Sequence, residues 1–458
     1  MRKFDVIVIG SGSGGEIVES ALSHDFSVAW VDKGPLGGTC LNVGCIPSKM
    51  LIYPADRIVE IQESEKLGIN AEIKNVDFKL IMEHMKKPIL ESHEHMEHGI
   101  QNTDDFSYFK GVGHFISDYT IEINNEKIKG EKIFIGSGAR PLIPPIKGIE
   151  NINYLTNETV FDLNKKPESI SIIGGGYIAV EFAHFFAAMG SKVTVFQRSN
   201  RLITPSEPEI SELLLKQMKK RMDVLTNIEV FEIKKEGKNY IVFGKNQANG
   251  KEIKVNSEEV LIATGRKSNA DLLKVENTGV KTDERGYIKV NEFLETSKKN
   301  IWAFGDAIGR YMFKHVANEE AIIAWDNAVH EKKTKMDYSA IPYAVFTYPQ
   351  IASVGLTEKE AMEEYDILVG KAMYSDVAKG EAMMELDGFS KAIVDKENGK
   401  ILGFHIIGPY APILIQEVIN AMALGGQIGF LGQGMHIHPA LSELILRTFG
   451  NLRDPDIK

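Results

Sequence analysis

One pattern, present twice, constrains this chain more than any other feature. Phe4-Asp5-Val6-Ile7-Val8-Ile9 is a nearly continuous apolar run of the kind buried on both faces of a parallel sheet, and it leads straight into Gly10-Ser11-Gly12-Ser13-Gly14-Gly15. A segment that can be helical follows at 16–23, and a second strand, 27–31, ends on Asp32, 22 residues after Gly10. This is a βαβ unit. Its glycines let the backbone approach a pyrophosphate at a helix N-terminus, and Asp32 can accept hydrogen bonds from a ribose. The arrangement recurs 164 residues later as a strand at 170–173, Gly174-Gly175-Gly176-Tyr177-Ile178-Ala179, a helix to Met189 and a strand at 192–196. One glycine turn is a weak signal, but two in strand-turn-helix contexts predict two nucleotide sites.

Each unit has a further strand ending in small residues, Ile133 to Arg140 and Val260 to Arg266, which would close its own Rossmann-like domain. Asn300-Ile301-Trp302-Ala303-Phe304-Gly305-Asp306-Ala307 reads as a strand ending in a Gly-Asp turn that could place a carboxylate on a sugar alcohol. From about residue 340 the texture changes to alternating β segments at 344–346, 391–394 and 401–407, then apolar helical patterns at 411–424 and 439–448. The expected architecture is α/β, with two dinucleotide-binding domains and a C-terminal α+β domain. A chain of 458 residues has ample length for it.

Composition narrows the function classes. Acidic residues outnumber basic ones, 63 to 53, and the net charge of −10 gives no support for nucleic-acid binding. The best membrane-span candidate, 172–189, is interrupted by Glu181 and His184, and the N-terminal apolar run is too short for a secretory core. A soluble, cytoplasmic protein is expected. Only two cysteines occur, Cys40 and Cys45, so any thiol chemistry is confined to one place.

Those cysteines lie in Gly37-Gly38-Thr39-Cys40-Leu41-Asn42-Val43-Gly44-Cys45-Ile46-Pro47-Ser48-Lys49. A continuous helix would separate them by a rise of about 7.5 Å, beyond disulfide range, so Cys40 should lie at or before a helix start with Gly44 easing the turn. No histidine flanks them to complete a zinc shell, and no metal is expected. Near the C-terminus stands His436-Ile437-His438-Pro439-Ala440-Leu441-Ser442-Glu443. Proline favours the first helical position, which would start a helix at Pro439, put His438 at its N-cap and bring Glu443 round to orient the imidazole. A carboxylate-backed histidine suits acid/base work on thiols. His436 reads as a solvated or capping residue.

With these motifs in order from residue 4 to 446, the sequence resembles the FAD-dependent pyridine nucleotide-disulfide oxidoreductases, which include dihydrolipoamide dehydrogenase, glutathione reductase and mycothione reductase. The resemblance implies an FAD domain at 1–148, an NAD(P) domain at 149–268, a segment at 269–336 completing the FAD domain, and a dimerisation domain at 337–458. It implies that Gly10, Gly12, Gly15 and Asp32 hold the adenosine diphosphate of FAD, with Asp32 replacing the more usual glutamate. Asp306 would hold the ribitol, and Met312, Phe313, Lys314 and His315 would approach the flavin. Gly14, Lys33, Gly38, Thr39, Gly113, His114, Ser137, Gly138 and Gly305 join the implied FAD site, and Gly174, Gly176, Tyr177, Ile178, Arg198 and Gly265 the nicotinamide-nucleotide site. Lys49 and Glu181 match an ion pair beside the reactive flavin nitrogen, and both belong to the implied cofactor contacts. Cys45 matches the thiol stacked on the flavin, Cys40 the thiol that exchanges with substrate, and His438 and Glu443 an acid/base pair supplied by the other subunit of a homodimer. Electrons would pass from a nicotinamide through FAD to the dithiol and on to a substrate disulfide.

The end of the second nucleotide-binding strand, Val195-Phe196-Gln197-Arg198, lacks the acid that selects NADH and offers arginine, so NADPH is expected. Stretches such as 177–184, 314–318, 344–352 and 376–380 resemble the mycothione reductase branch, which implies a small-molecule disulfide substrate. The alternative is a dihydrolipoamide dehydrogenase, with a lipoyl protein as partner and NAD as oxidant. A minor alternative is a non-enzymatic flavin redox sensor. Mercuric ion reductase and the high-molecular-weight thioredoxin reductases use an extra C-terminal cysteine or selenocysteine pair, which the tail 451–458 lacks.

Overall fold

Strand β1 (Arg2–Ile9) is buried from both sides because its alternate side chains enter two different cores. Val6 and Val8 pack with Ile17, Val18 and Trp325, while Ile7 and Ile9 pack with Phe115 and Ile301. The computed structural model describes residues 1–100, 105–330 and 333–455, so the last residues of the cysteine-free tail, 456–458, lie outside it. Helix α1 (Gly14–Ser23) follows the glycine turn, two residues earlier than the sequence pattern suggested, and leads to β2 (Val28–Asp32). Then come α2 (Gly38–Val43), α3 (Cys45–Gln62), α4 (Phe78–Gly99), β3 (Phe106–Lys110), β4 (His114–Ser117), β5 (Thr120–Ile123) and β6 (Glu126–Ile135). The sheet order is β3-β2-β1-β6-β5-β4, parallel where β1 meets β2 and β6, with Val8 opposite Trp30 and Ile7 opposite Ile133.

The second unit repeats the plan with β7 (Ser169–Ile173), α5 (Tyr177–Ala188), β8 (Lys192–Gln197), α6 (Pro208–Met218), β9 (Asp223–Thr226) and β10 (Glu259–Ile262). Its parallel order is β9-β8-β7-β10. The two segments joining the units, 139–141 and 266–268, pair antiparallel, and the chain then returns to add β11 (Ile301–Ala303) in parallel to β6. Helix α7 (Lys314–Val329) packs on the first sheet through Val316, Ala321 and Trp325.

The C-terminal part is an antiparallel sheet of β12 (Pro342–Val345), β13 (Ile351–Gly355), β14 (Ile367–Met373), β15 (Phe389–Asp395) and β16 (Ile401–Ile407), ordered β12-β13-β16-β15-β14. It is covered by α8 (Gln416–Ala423) and α9 (Glu443–Gly450). Here the structure corrects the helix start expected at Pro439. The His438–Pro439 peptide is cis, residues 439–442 form a turn, and Ser442 precedes the first helical residue. The Glu443 carboxylate holds this turn by accepting the Ala440 N–H at 3.0 Å, an interaction that outweighs the preference of proline for a first helical position. Among the described residues, no helix is long and apolar enough to cross a membrane.

Candidate active site

The cysteine segment folds as two helices rather than one. Cys40 sits within α2, the chain breaks at Gly44, and Cys45 opens α3. A Cβ on Gly44 would stand 2.8 Å from the Thr39 carbonyl oxygen, so only glycine lets the two helix ends approach this closely. Both cysteines are free thiols and hydrogen-bond to each other. That bond lowers the Cys45 thiol to about 7, against burial, with help from the Lys49 ammonium one turn along α3. Cys40, as donor and half-buried beside it, is pushed well up. Cys45 is therefore the first of the two to ionise. Asn42 fixes the loop by donating through Nδ2 to the Leu36 and Gly38 carbonyls at 2.9 and 2.8 Å. Its Oδ1 accepts from His93 Nε2 of α4, a neighbour that no sequence motif marked.

Lys49 and Glu181, 132 residues apart, meet at 2.7 Å. Glu181 is 6% exposed, and its second oxygen accepts the Phe346 N–H at 2.9 Å. The Lys49 ammonium also lies over the Phe346 ring, 4.6 Å from its centre. Phe346 thus belongs to this cluster, although it comes from the C-terminal part and carries no titratable group that would have drawn notice.

The cysteines open onto a cleft of about 510 Å³ that runs back to the first glycine turn. Gly10, Gly12, Asp32, Lys33, Gly38, Thr39, Gly113, Ser137, Gly138, Gly305, Asp306, Met312, Phe313 and Lys314 line it. Besides Lys49 and Glu181, four residues of the implied FAD site do not. Gly14 and Gly15 lie behind the turn, where a Cβ on Gly14 would press on Val8 at 2.8 Å and one on Gly15 would meet nothing; the close-packing glycine is therefore Gly14. His114 is in β4 opposite Glu122, and His315 points away to the Pro342 carbonyl at 2.8 Å. Asp32 takes a structural role as well, accepting the N–H groups of Ser11 at 2.5 Å and Gly34 at 2.6 Å.

The cleft fits a dinucleotide. Gly10 has φ +103° at the end of β1, Gly12 faces open space, and the Ser11 and Ser137 hydroxyls are buried with no hydrogen-bond partner among the described residues. At the cleft's far end Asp306 pairs with Arg266 at 3.2 Å; burial raises its carboxyl and Arg266 opposes that rise. Behind it Glu320, wholly buried, accepts the Gly305 N–H at 2.6 Å and the Tyr338 hydroxyl at 2.7 Å, and burial lifts it to about 7.

In the second unit Gly174 has φ +131° at the end of β7, and Tyr177 of α5 lies with its ring 6.0 Å from that of Phe313. Gly176 and Ile178 flank Tyr177 at the start of α5, and Gly265 follows β10. Gln197 folds inward over Gly175 and donates to the Arg201 carbonyl at 2.9 Å. Arg198 is exposed, with no hydrogen bond or ion pair among the described residues.

His438 Nδ1 pairs with Glu443 at 2.9 Å, and the ring is otherwise exposed. Ala440 N–H and His438 hold the Glu443 carboxyl below its usual range. His436 is not a solvated residue: it pairs with Glu417 of α8 at 2.7 Å and is largely buried. None of these residues lines the cleft of its own chain.

A glycine-cradled dinucleotide cleft ending at a dithiol, with a second nucleotide fold beside it, defines a class of two-nucleotide thiol oxidoreductases. Residues 4–321 match the family described as pyridine nucleotide-disulphide oxidoreductase and residues 341–448 match its dimerisation domain, so the chain belongs to this family, which is FAD-dependent and uses NAD(P)H. The chain is 34% identical to mycothione reductase of Mycobacterium tuberculosis, covering 99% of this chain and all of the relative. It is 33% identical to mercuric reductase of Staphylococcus aureus, over 93% of this chain and 77% of that one, and 32% identical to dihydrolipoyl dehydrogenase of Geobacillus stearothermophilus, over 97% and 95%. Among solved structures, the HOCl-induced flavoprotein disulfide reductase RclA of Escherichia coli in its Cu(II) complex superposes with a TM-score of 0.87 at 28% identity, covering 98% of this chain and 99% of that one. The protein is a flavoprotein pyridine nucleotide-disulfide oxidoreductase.

Proposed function

We propose that this chain reduces a small-molecule disulfide with NADPH, as a homodimer whose active site is completed by His438 and Glu443 of the second copy. The uncommitted Arg198 at the end of β8, beside an inward-turned Gln197, carries the NADPH reading, because a free guanidinium suits a 2′-phosphate and no carboxylate is present to take a 2′-hydroxyl. Full-length similarity to mycothione reductase supports the small disulfide. The domain bounds at 148, 268 and 336 belong to this reading.

Gly10, Gly12, Gly38, Thr39 and Asp306 would hold FAD, which would supply a two-electron route from the nicotinamide to the Cys40–Cys45 disulfide. The dithiol does the rest. A base, His438 of the second copy, takes the proton that Cys40 holds, and the Cys40 thiolate attacks one sulfur of the substrate. The substrate S–S bond breaks, a mixed disulfide forms on Cys40, and the departing thiolate takes its proton back from His438. Cys45, already ionised, then attacks Cys40, closing the protein disulfide and releasing the second thiol. NADPH, one proton and one disulfide thus give NADP and two thiols.

The second reading, dihydrolipoamide oxidation by NAD, is favoured by the comparable identity and coverage of the dihydrolipoyl dehydrogenase. Anaerobic stopped-flow mixing with NADPH and, separately, NADH decides between them. Faster flavin bleaching by NADPH, lost in Arg198→Ala, supports the first; faster bleaching by NADH returns the second.

A further inference from the structure

The Lys49–Glu181 pair is one of two polar layers between α3 and α5. The second lies deeper. Asp56, seven residues after Lys49 on the same face of α3, receives a hydrogen bond from His184 Nε2 at 2.9 Å, and His184 lies one turn beyond Glu181 on α5. Arg221, which follows α6, donates from Nη1 to His184 Nδ1 at 2.9 Å and from Nη2 to the Tyr348 carbonyl at 2.6 Å. A guanidinium only donates, so Nδ1 is the acceptor and Nε2 carries the proton: His184 is a neutral bridge between a carboxylate and a cation. Burial keeps it neutral, His184 being fully enclosed and Asp56 6% exposed.

Apolar side chains of similar volume would join these helices at less desolvation cost, so the network calls for a role beyond packing. Both layers end on the same short segment. Phe346 gives its N–H to Glu181 and its ring to Lys49, and two residues later the Tyr348 carbonyl is held by Arg221. The ring of Tyr348 also stacks on His184, with centroids 6.2 Å apart. The seat of Phe346 against Lys49 is thus fixed from below.

We propose that Asp56, His184 and Arg221 are positioning residues that hold the 346–348 segment onto α3 and α5, and so set the Lys49 ammonium against the Cys45 thiolate. This rests on the reading above that Cys45 is the thiolate beside the flavin. The charged or titratable groups around Cys45 are Cys40 from α2, Lys49 from its own helix and Glu181 from α5, with Lys314 of α7 acting on Cys40. Around the brace they are Asp56, Glu60, Glu63, Glu181, Tyr348 and Glu385.

The test titrates the reduced holoenzyme by the long-wavelength absorbance of a thiolate against oxidised flavin, and measures the pH dependence of iodoacetamide alkylation of Cys45 in a Cys40→Ser background. Arg221→Met and His184→Leu are expected to raise the apparent Cys45 pKa by about one unit, a tenfold loss of thiolate at a given pH below it. His184→Gln keeps one donor and one acceptor and is expected to titrate as the unaltered protein does. Arg221→Lys keeps the charge but spans only one of the two acceptors, and is expected to give about half the shift. Unchanged titration in Arg221→Lys, or in the two disruptive variants with FAD retained, overturns the proposal, as does a Gln variant that shifts as far as Leu. If the unaltered protein shows no such band, it is the assignment of Cys45 that fails, whatever the brace does.

Discussion

Alanine at Gly10 and at Gly15 separates the glycine that the nucleotide turn requires from one that merely follows it. A Cβ on Gly10 would stand 2.2 Å from the Gly136 carbonyl oxygen and 2.7 Å from its carbon. A tolerable carbon-oxygen contact is about 3.3 Å, so the two strand ends would have to part by about 1 Å. They are tied together, because Gly136 donates its N–H to the Ile9 carbonyl at 2.8 Å and Gly10 donates to Val31 at 2.8 Å. Overpacking of this kind costs about 1–3 kcal/mol, and the left-handed backbone at φ +103° adds about 1–2 kcal/mol for a residue with a side chain, giving a total of about 2–5 kcal/mol. Gly15 lies inside α1 with nothing within 4 Å of an added Cβ, so alanine there gains about 0.5–1 kcal/mol of helix stability. Thermal unfolding and the flavin-to-protein ratio of the purified proteins read both effects. Gly10→Ala should melt earlier with little FAD, and Gly15→Ala should melt at or above the parent with full FAD. A Gly10→Ala protein that keeps its flavin, or a Gly15→Ala protein that loses it, refutes the reasoning.

Four other outcomes are expected. Cys40→Ser should abolish disulfide turnover yet leave Cys45 able to form its band with the flavin, and surviving turnover would remove Cys40 from the exchange step. His438→Gln should lower turnover at least a hundredfold with FAD content unchanged, in line with the usual contribution of a general acid/base, whereas an unchanged rate would dismiss it. Because Cys45 is lowered to about 7, thiolate in the reduced protein should rise through neutral pH, and Lys49→Met should move that rise upward. The same substitution leaves Glu181 buried with only the Phe346 N–H, at a cost of roughly 2 kcal/mol, which is modest because Lys49 is itself a third exposed. A melting point unaltered by Lys49→Met would contradict this.

What the sequence made legible was local. The glycine turns, their strands and the break at Gly44 are each written within about a dozen residues, and periodicity and steric requirements suffice to read them. Lys49 and Glu181 came only through resemblance, since nothing in either segment announces a partner 132 residues away. Asp56, His184 and Arg221 were invisible for the same reason, and in sequence His184 served merely as an interruption of an apolar helix. Pro439 misled because its preference for a helix start is a weak local term, overruled by the Glu443 carboxylate on the Ala440 N–H. Which of the adjacent Gly14 and Gly15 packs against the first strand is not written in the motif, and the contact with Val8 falls on Gly14.

The seat of Phe346 against Lys49 and Glu181 also bears on how the protein is made. Phe346 lies 301 residues beyond Cys45. At roughly 5–20 residues per second, a ribosome delivers it some 15–60 s after the cysteines have emerged. Until then Glu181 lacks its main-chain donor and the ammonium lacks its aromatic wall. In a nascent chain the Lys49–Glu181 pair beside Cys45 therefore lacks its main-chain and aromatic partners, and both arrive only when the last quarter of the polypeptide docks.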